Sequence, residues 1–240
     1  MSSSPRPQPV QPPENPIERQ LPDDETRQRY ELSADLVTIS DSRPTEAEAI
    51  RTVRTHMVAR HLEDGRRGLS VAAPTSGVGC TYTAVNLAVA LSQVGISTLL
   101  IDADLRAPRV EEFIRPEIPT QGLRQFLAEE DGRLHAYVHS DVLPNLSVLY
   151  AGGTAEYPQE LLSGEPFKRL VDRCLRDFQF TVIDTPAADL GADAVQVASI
   201  VGYTLVVARA NVTLLSQLSD LASQLHEDGA RVVGTVLSEI

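Results

Sequence analysis

Lysine is almost absent from this 240-residue sequence, in which Lys168 is the single one. Acidic residues number 33 against 21 Lys and Arg, and the formal net charge is -12. A chain this short of positive charge is not suited to coating nucleic acid, which needs clustered Lys and Arg to neutralise phosphates. Long apolar runs are missing too. No stretch approaches the ~18–20 consecutive apolar residues of a membrane helix, and the N-terminus (Met1, Ser2, Ser3, Ser4, Pro5, Arg6) lacks the apolar core of a signal peptide. A cytoplasmic protein is expected, with any membrane association made through a partner. Cysteine is equally scarce. Cys80 and Cys174 have no paired spacing and no Cys/His cluster around them, so nothing suggests a disulfide framework or a zinc site.

What is present suffices for one good-sized domain and a tail, with 42% hydrophobic residues. Residues 1–43 are rich in Pro, Gln, Asp, Glu and Arg, poor in aromatics and without a sustained apolar period, which predicts a mobile leader. Within it, Leu36-Val37-Thr38-Ile39 reads as an extended piece lying on the domain surface. Residues 44–240 form the domain proper. Thr45 to Leu62 carries Ala49, Val53 and Met57 at helical spacing, with Thr45 and Glu48 placed as a capping box. Short Val/Ile/Leu-rich runs follow at Gly68–Ala73, Ser97–Ile101, Leu146–Tyr150, Phe180–Ile183, Tyr203–Ala208 and Arg231–Leu237. Helical segments at Thr81–Val94, Pro166–Asp177, Asp193–Val201 and Thr213–Glu227 separate most of them. Apolar strands without polar alternation, interleaved with helices, indicate a doubly wound, mainly parallel α/β domain with helices on both faces. Ligands of such sheets bind beyond the carboxyl ends of the strands.

At the end of the first of these strands comes Pro74-Thr75-Ser76-Gly77-Val78-Gly79-Cys80-Thr81, and an apolar helix follows. A strand, a Gly-containing turn and a helix N-terminus present backbone N–H groups and a positive dipole end to an anion. Against the phosphate-loop pattern G-x-x-x-x-G-K-[ST], Pro74 replaces the first glycine and Cys80 the lysine, while Thr81 keeps the magnesium-binding hydroxyl. Acidic residues end two other strands, as Asp102 and Asp104 in Ile101-Asp102-Ala103-Asp104-Leu105-Arg106-Ala107-Pro108, and as Asp184 in Val182-Ile183-Asp184-Thr185-Pro186. Carboxylates beside apolar strand ends are costly without a partner, and hydrated magnesium is the usual partner in a phosphoryl-transfer site.

Together, the Gly-turn, LLIDADLRAPRV, YPQELLSGEPFKRLV and FTVIDTPA with Asp193 and Ala194 downstream resemble the kinase domain of bacterial tyrosine kinases, the BY-kinases. The resemblance runs from about Leu36 to the C-terminus. It implies a P-loop fold related to MinD and ParA, with Walker A, A′ and B motifs around one ATP site. Gly77, Val78, Gly79, Cys80, Thr81, Tyr82 and Arg106 would hold nucleotide, Asp102 and Asp104 would serve catalysis, and Thr81, Asp102 and Asp184 would serve the metal. Glu48, Arg51 and Arg54 match the family's E-x-x-R-x-x-R, which implies a homo-oligomer contact. Read from spacing alone, they are a solvated set of salt bridges on one helix face. The family further implies a role in exopolysaccharide or capsule export and chain-length control. The partner would be a membrane polysaccharide co-polymerase, which would hold the protein at the inner face of the plasma membrane.

Departures from the family pattern concern catalysis. Neither Cys80 nor Thr75, where ParA and MinD carry a further lysine, supplies a positive charge, and the chain ends at Ser238-Glu239-Ile240 without the family's tyrosine cluster. Lys168, on a different helix, is a poor substitute. Losing a charge-assisted hydrogen bond of roughly 1.5–3 kcal/mol should weaken nucleotide binding by about one to two powers of ten, and slow transfer further. Weak binding of ATP or ADP with Mg2+ and impaired transfer are therefore expected. The alternatives are an active tyrosine autokinase and a ParA/MinD-type positioning ATPase; the acidic charge and the lack of a basic amphipathic helix speak against the second. Cys80 itself is either a tolerated small replacement or an oxidisable thiol activated by the helix N-terminus.

Overall fold

The computed structural model describes residues 30–40, 42–129 and 133–239. In chain order these form β1 (Tyr30–Leu32), α1 (Val37–Ser40), α2 (Pro44–Met57), β2 (Gly68–Ala72), α3 (Cys80–Ser92), β3 (Thr98–Asp102), β4 (Ile114–Pro116), α4 (Leu123–Ala128), β5 (His139–Leu143) and β6 (Leu146–Leu149). There follow α5 (Pro158–Ser163), α6 (Glu165–Asp177), β7 (Phe180–Asp184), α7 (Asp193–Val201), β8 (Tyr203–Arg209), α8 (Leu215–Glu227) and β9 (Arg231–Ser238). Seven strands make one sheet in the order β5-β6-β3-β7-β2-β8-β9. Every pairing in it is parallel except β5 with β6, so the doubly wound reading holds.

Strands β2, β3, β6 and β7 are buried at every residue, which explains their unbroken apolar runs. Their side chains still alternate between two cores. Leu69, Val71, Leu100 and Val182 join a cluster under α3, whereas Leu99, Ile101 and Ile183 pack with Phe167, Val171 and Val197 of α6 and α7 on the other face. Helix α3 is buried from Thr83 to Ser92, because the sheet covers one side and α1 with α2 the other. That sandwiching places its N-terminus directly after β2, at the carboxyl edge of the sheet.

Three expectations are corrected. Leu36–Ile39 is not extended: Val37–Ser40 forms a helical turn, and Leu36 and Val37 are completely buried. Asn86 of α3 holds it there, its Oδ1 accepting from Val37 N at 3.0 Å and its Nδ2 donating to Asp35 O at 3.0 Å. The domain also begins before residue 44, since β1 pairs antiparallel with β4 and Leu36 joins the main core. Residues 1–29 of the expected leader lie outside the described residues. Finally, no capping box forms at Thr45 and Glu48; Pro44 takes the first helical position after Arg43, and the helix ends in a wider π-type turn over Val58–Leu62.

Asn86 is fully buried and also donates to Tyr82 O at 3.0 Å. Asn86→Ala should therefore cost about 2–3 kcal/mol, by leaving the Val37 N–H without its acceptor. Chemical denaturation should report the loss, with faster amide exchange at Val37 than the global change explains.

Candidate functional site

Gly77 and Gly79 adopt φ of +75° and +95° between β2 and α3, a left-handed region that side chains rarely enter. Val78 between them is buried in the core under α3 and pins the loop. Gly79 is the N-cap of α3 and offers no side chain to its first turn. The N–H groups of Cys80, Thr81 and Tyr82 thus have no carbonyl one turn upstream, which is the donor arrangement an anion requires.

Cys80 does not point toward that opening. Its Sγ lies 3.2 Å from Val71 O and 3.5 Å from Thr185 O, under the loop. Burial, followed by the nearby Asp184 charge, holds the thiol well above its ordinary range. These effects oppose that of the helix N-terminus and, with the inward contacts of Sγ, favour the reading of Cys80 as a small packing replacement. Lys168, half-exposed on α6, donates to Glu165 Oε1 at 2.8 Å.

The carboxylates converge because β3 and β7 are neighbours, with Asp102 and Asp184 directly paired in register. Asp102 is 1% exposed and Asp184 0%. Asp102 holds the turn after β3, accepting from Asp104 N and Val110 N at 3.1 Å each, while Asp104 Oδ1 accepts from Arg106 N at 3.0 Å and Ala107 N at 2.9 Å. Asp184 differs. Neither of its carboxylate oxygens has a hydrogen-bond partner of good geometry, although the Thr81 hydroxyl and Cys80 thiol are near enough to favour its charged form. Burial raises both acids above the ordinary carboxylate range, with mutual repulsion among Asp102, Asp104 and Asp184 adding to it.

An open, buried carboxylate beside a threonine hydroxyl fits a divalent cation, with Asp184 the open acceptor and Asp102 already engaged by the backbone. Among the described residues no group of three His, Cys, Asp or Glu forms a cage by itself. That suits Mg2+, which is usually held by one or two protein oxygens together with phosphate and water.

Other expected site residues are distributed differently. Arg106 donates from Nε to Asp193 Oδ2 at 2.6 Å, tying the turn after β3 to the start of α7. Tyr82 turns its ring to Phe113 and its hydroxyl to Glu46 Oε2 at 2.5 Å, so only its backbone faces the loop. Any part of Tyr82 in binding nucleotide would therefore be played by its backbone N–H. Glu48 is exposed on α2 and lies 3.6 Å from Arg51, while Arg51 and Arg54 are partly buried, Arg54 standing one turn from the buried Ile50 and Met57. Sequence reasoning missed Asp189, whose Oδ1 accepts from Ser76 Oγ at 3.4 Å, and Arg209, whose Nη1 reaches Gly77 O at 3.4 Å. Neither sits in a motif, and only the strand order brings them to the loop.

Residues 69–239 match the CobQ/CobB/MinD/ParA nucleotide binding domain. The chain belongs to this family. Within it, the chain is similar to bacterial tyrosine kinases. Tyrosine-protein kinase ptk of Acinetobacter johnsonii is 30% identical over 85% of this chain, and tyrosine-protein kinase wzc of Salmonella typhi 29% identical over 88%. The chain spans only 28% and 29% of the length of these two relatives. The crystal structure of the VpsO kinase domain superposes with a TM-score of 0.73 at 29% identity, covering 84% of this chain and 99% of that one. Among the described residues, no helix of this CobQ/CobB/MinD/ParA-type domain is long and apolar enough to cross a membrane.

Proposed function

We propose that the protein is a BY-kinase-like component of exopolysaccharide or capsule export that binds Mg-nucleotide weakly and transfers phosphate poorly. One observation carries this reading. The Cys80 thiol, at the lysine position, is folded under the phosphate loop, while the anion-ready N–H groups and the open Asp184 carboxylate persist. Nucleotide can be held by backbone and metal, but no cation within the loop follows the charge that builds on the transferred group. The biological setting, with a membrane polysaccharide co-polymerase as partner, rests on the similarity to the tyrosine kinases.

Calorimetric titration of ATP and ADP with Mg2+ tests the reading, with autophosphorylation followed in parallel. Binding weaker than micromolar with negligible phosphotyrosine is expected; robust autophosphorylation would establish the second reading, an active autokinase, which the relatives' names favour. The match of Glu48, Arg51 and Arg54 to the kinases' E-x-x-R-x-x-R supports a homo-oligomer contact. Arg51→Glu with Arg54→Glu should leave circular dichroism unchanged and abolish assembly by light scattering, and an unchanged size would refute that contact.

A further inference from the structure

We infer that Arg209, from the end of β8, supplies the phosphate-binding cation that the loop itself lacks. The inference rests on the nucleotide-binding reading above and names a residue for it. In the sheet, β8 lies beside β2, with Ala72 paired to Val206, so Arg209 stands three residues past the point where β2 ends and its loop begins. Its backbone is fixed on both sides. Arg209 N donates to Thr213 Oγ1 at 2.9 Å, and Arg209 O accepts from Thr213 N at 2.9 Å and Val212 N at 3.2 Å.

The side chain is not fixed in this way. Its one side-chain hydrogen bond among the described residues is the long one from Nη1 to Gly77 O at 3.4 Å, and none of their salt bridges includes it. Arg106 and Arg109, in the turn after β3, are each paired with an acid, Arg106 with Asp193 at 2.6 Å and Arg109 with Glu112 at 2.8 Å. A guanidinium offers five N–H donors in a planar fork suited to phosphate oxygens, and one carbonyl contact leaves most of them for a ligand. The ligand class is a nucleoside di- or triphosphate seated on the α3 N-terminus, with Arg209 reaching its outer phosphates across Gly77.

Calorimetry of Mg-ATP and Mg-ADP with the full chain, comparing wild type, Arg209→Gln and Arg209→Lys at two ionic strengths, tests this. Gln should weaken ATP binding by about tenfold to a hundredfold and flatten its salt dependence, while Lys should retain most of both. Thermal melts keep misfolding apart from lost affinity. Wild-type affinity in Arg209→Gln would overturn the role of Arg209 and leave nucleotide binding standing. Equal loss in Lys and Gln with an unchanged salt response would also overturn it, since Arg209 would then act only by positioning the loop. Wild-type protein that binds no nucleotide at millimolar concentration would overturn both readings.

Discussion

Cys80→Lys is expected to raise the affinity for Mg-ATP by about tenfold to a hundredfold, the counterpart of a charge-assisted hydrogen bond restored at the β and γ phosphates. The backbone it would join is already in place. Gly77 and Gly79 have their left-handed conformations, Val78 anchors the turn, and the first N–H groups of α3 are open. The new side chain would give up the contacts of the Cys80 thiol to Val71 O and Thr185 O, a modest loss because a thiol is a weak donor. In return, an ammonium near Asp184 would offset a buried charge that now lacks a hydrogen-bond partner. Calorimetry on the variant reads the affinity. An affinity equal to wild type would show that loop geometry, and not missing charge, limits binding.

Asp184→Asn should have the opposite effect on ligands and a stabilising effect on the ligand-free domain. The wild-type carboxylate is fully buried, and burial together with the Asp104 charge pushes its pKa up to about 7. Such a group takes up a proton more readily folded than unfolded. Its contribution therefore favours the folded state below the ordinary carboxylate range and is lost as pH rises through the raised folded value. Asp102, also raised by burial and by Asp184, acts in the same direction.

The ligand-free domain should thus melt higher near pH 5 than near pH 8. Asparagine, which carries no charge at either pH, should remove much of that slope and stabilise the pH 8 form by on the order of 2 kcal/mol, or several degrees in Tm. Mg2+ with ATP should raise the Tm of wild type and leave that of the variant nearly unchanged. A variant less stable than wild type at pH 8 without ligand would show that the Asp184 carboxylate is not a buried charge awaiting a cation.

Much of this was legible along the chain. Apolar runs bounded by turn residues mark the buried strands β2, β3, β6 and β7 within one or two residues, because a strand covered on both faces has no reason to alternate. Asp193–Val201 was legible to the residue, since Gly202 closes it with φ of +85°. The turn at Val37–Ser40 was not. Four residues carry too little pattern, and what makes them helical is Asn86, some fifty positions away. The direction of the Tyr82 side chain was not legible for a related reason: a helix N-terminus offers its backbone to a ligand, while each side chain turns to what packs beside it, here Glu46 and Phe113.

By itself, the sequence determined the parallel α/β architecture, the anion-ready turn and the absence of lysine from it, because periodicity, glycine placement and residue chemistry are local properties. Only the tertiary structure decided which groups meet at that turn. The pairing of β3 with β7 sets Asp102 against Asp184, and the inward packing of Cys80 leaves its position without a functional head group. The pairing of β2 with β8 brings Arg209 to Gly77 from more than a hundred residues away. Strand order is decided by how whole sheets and helices bury their surfaces together, and no short segment encodes it.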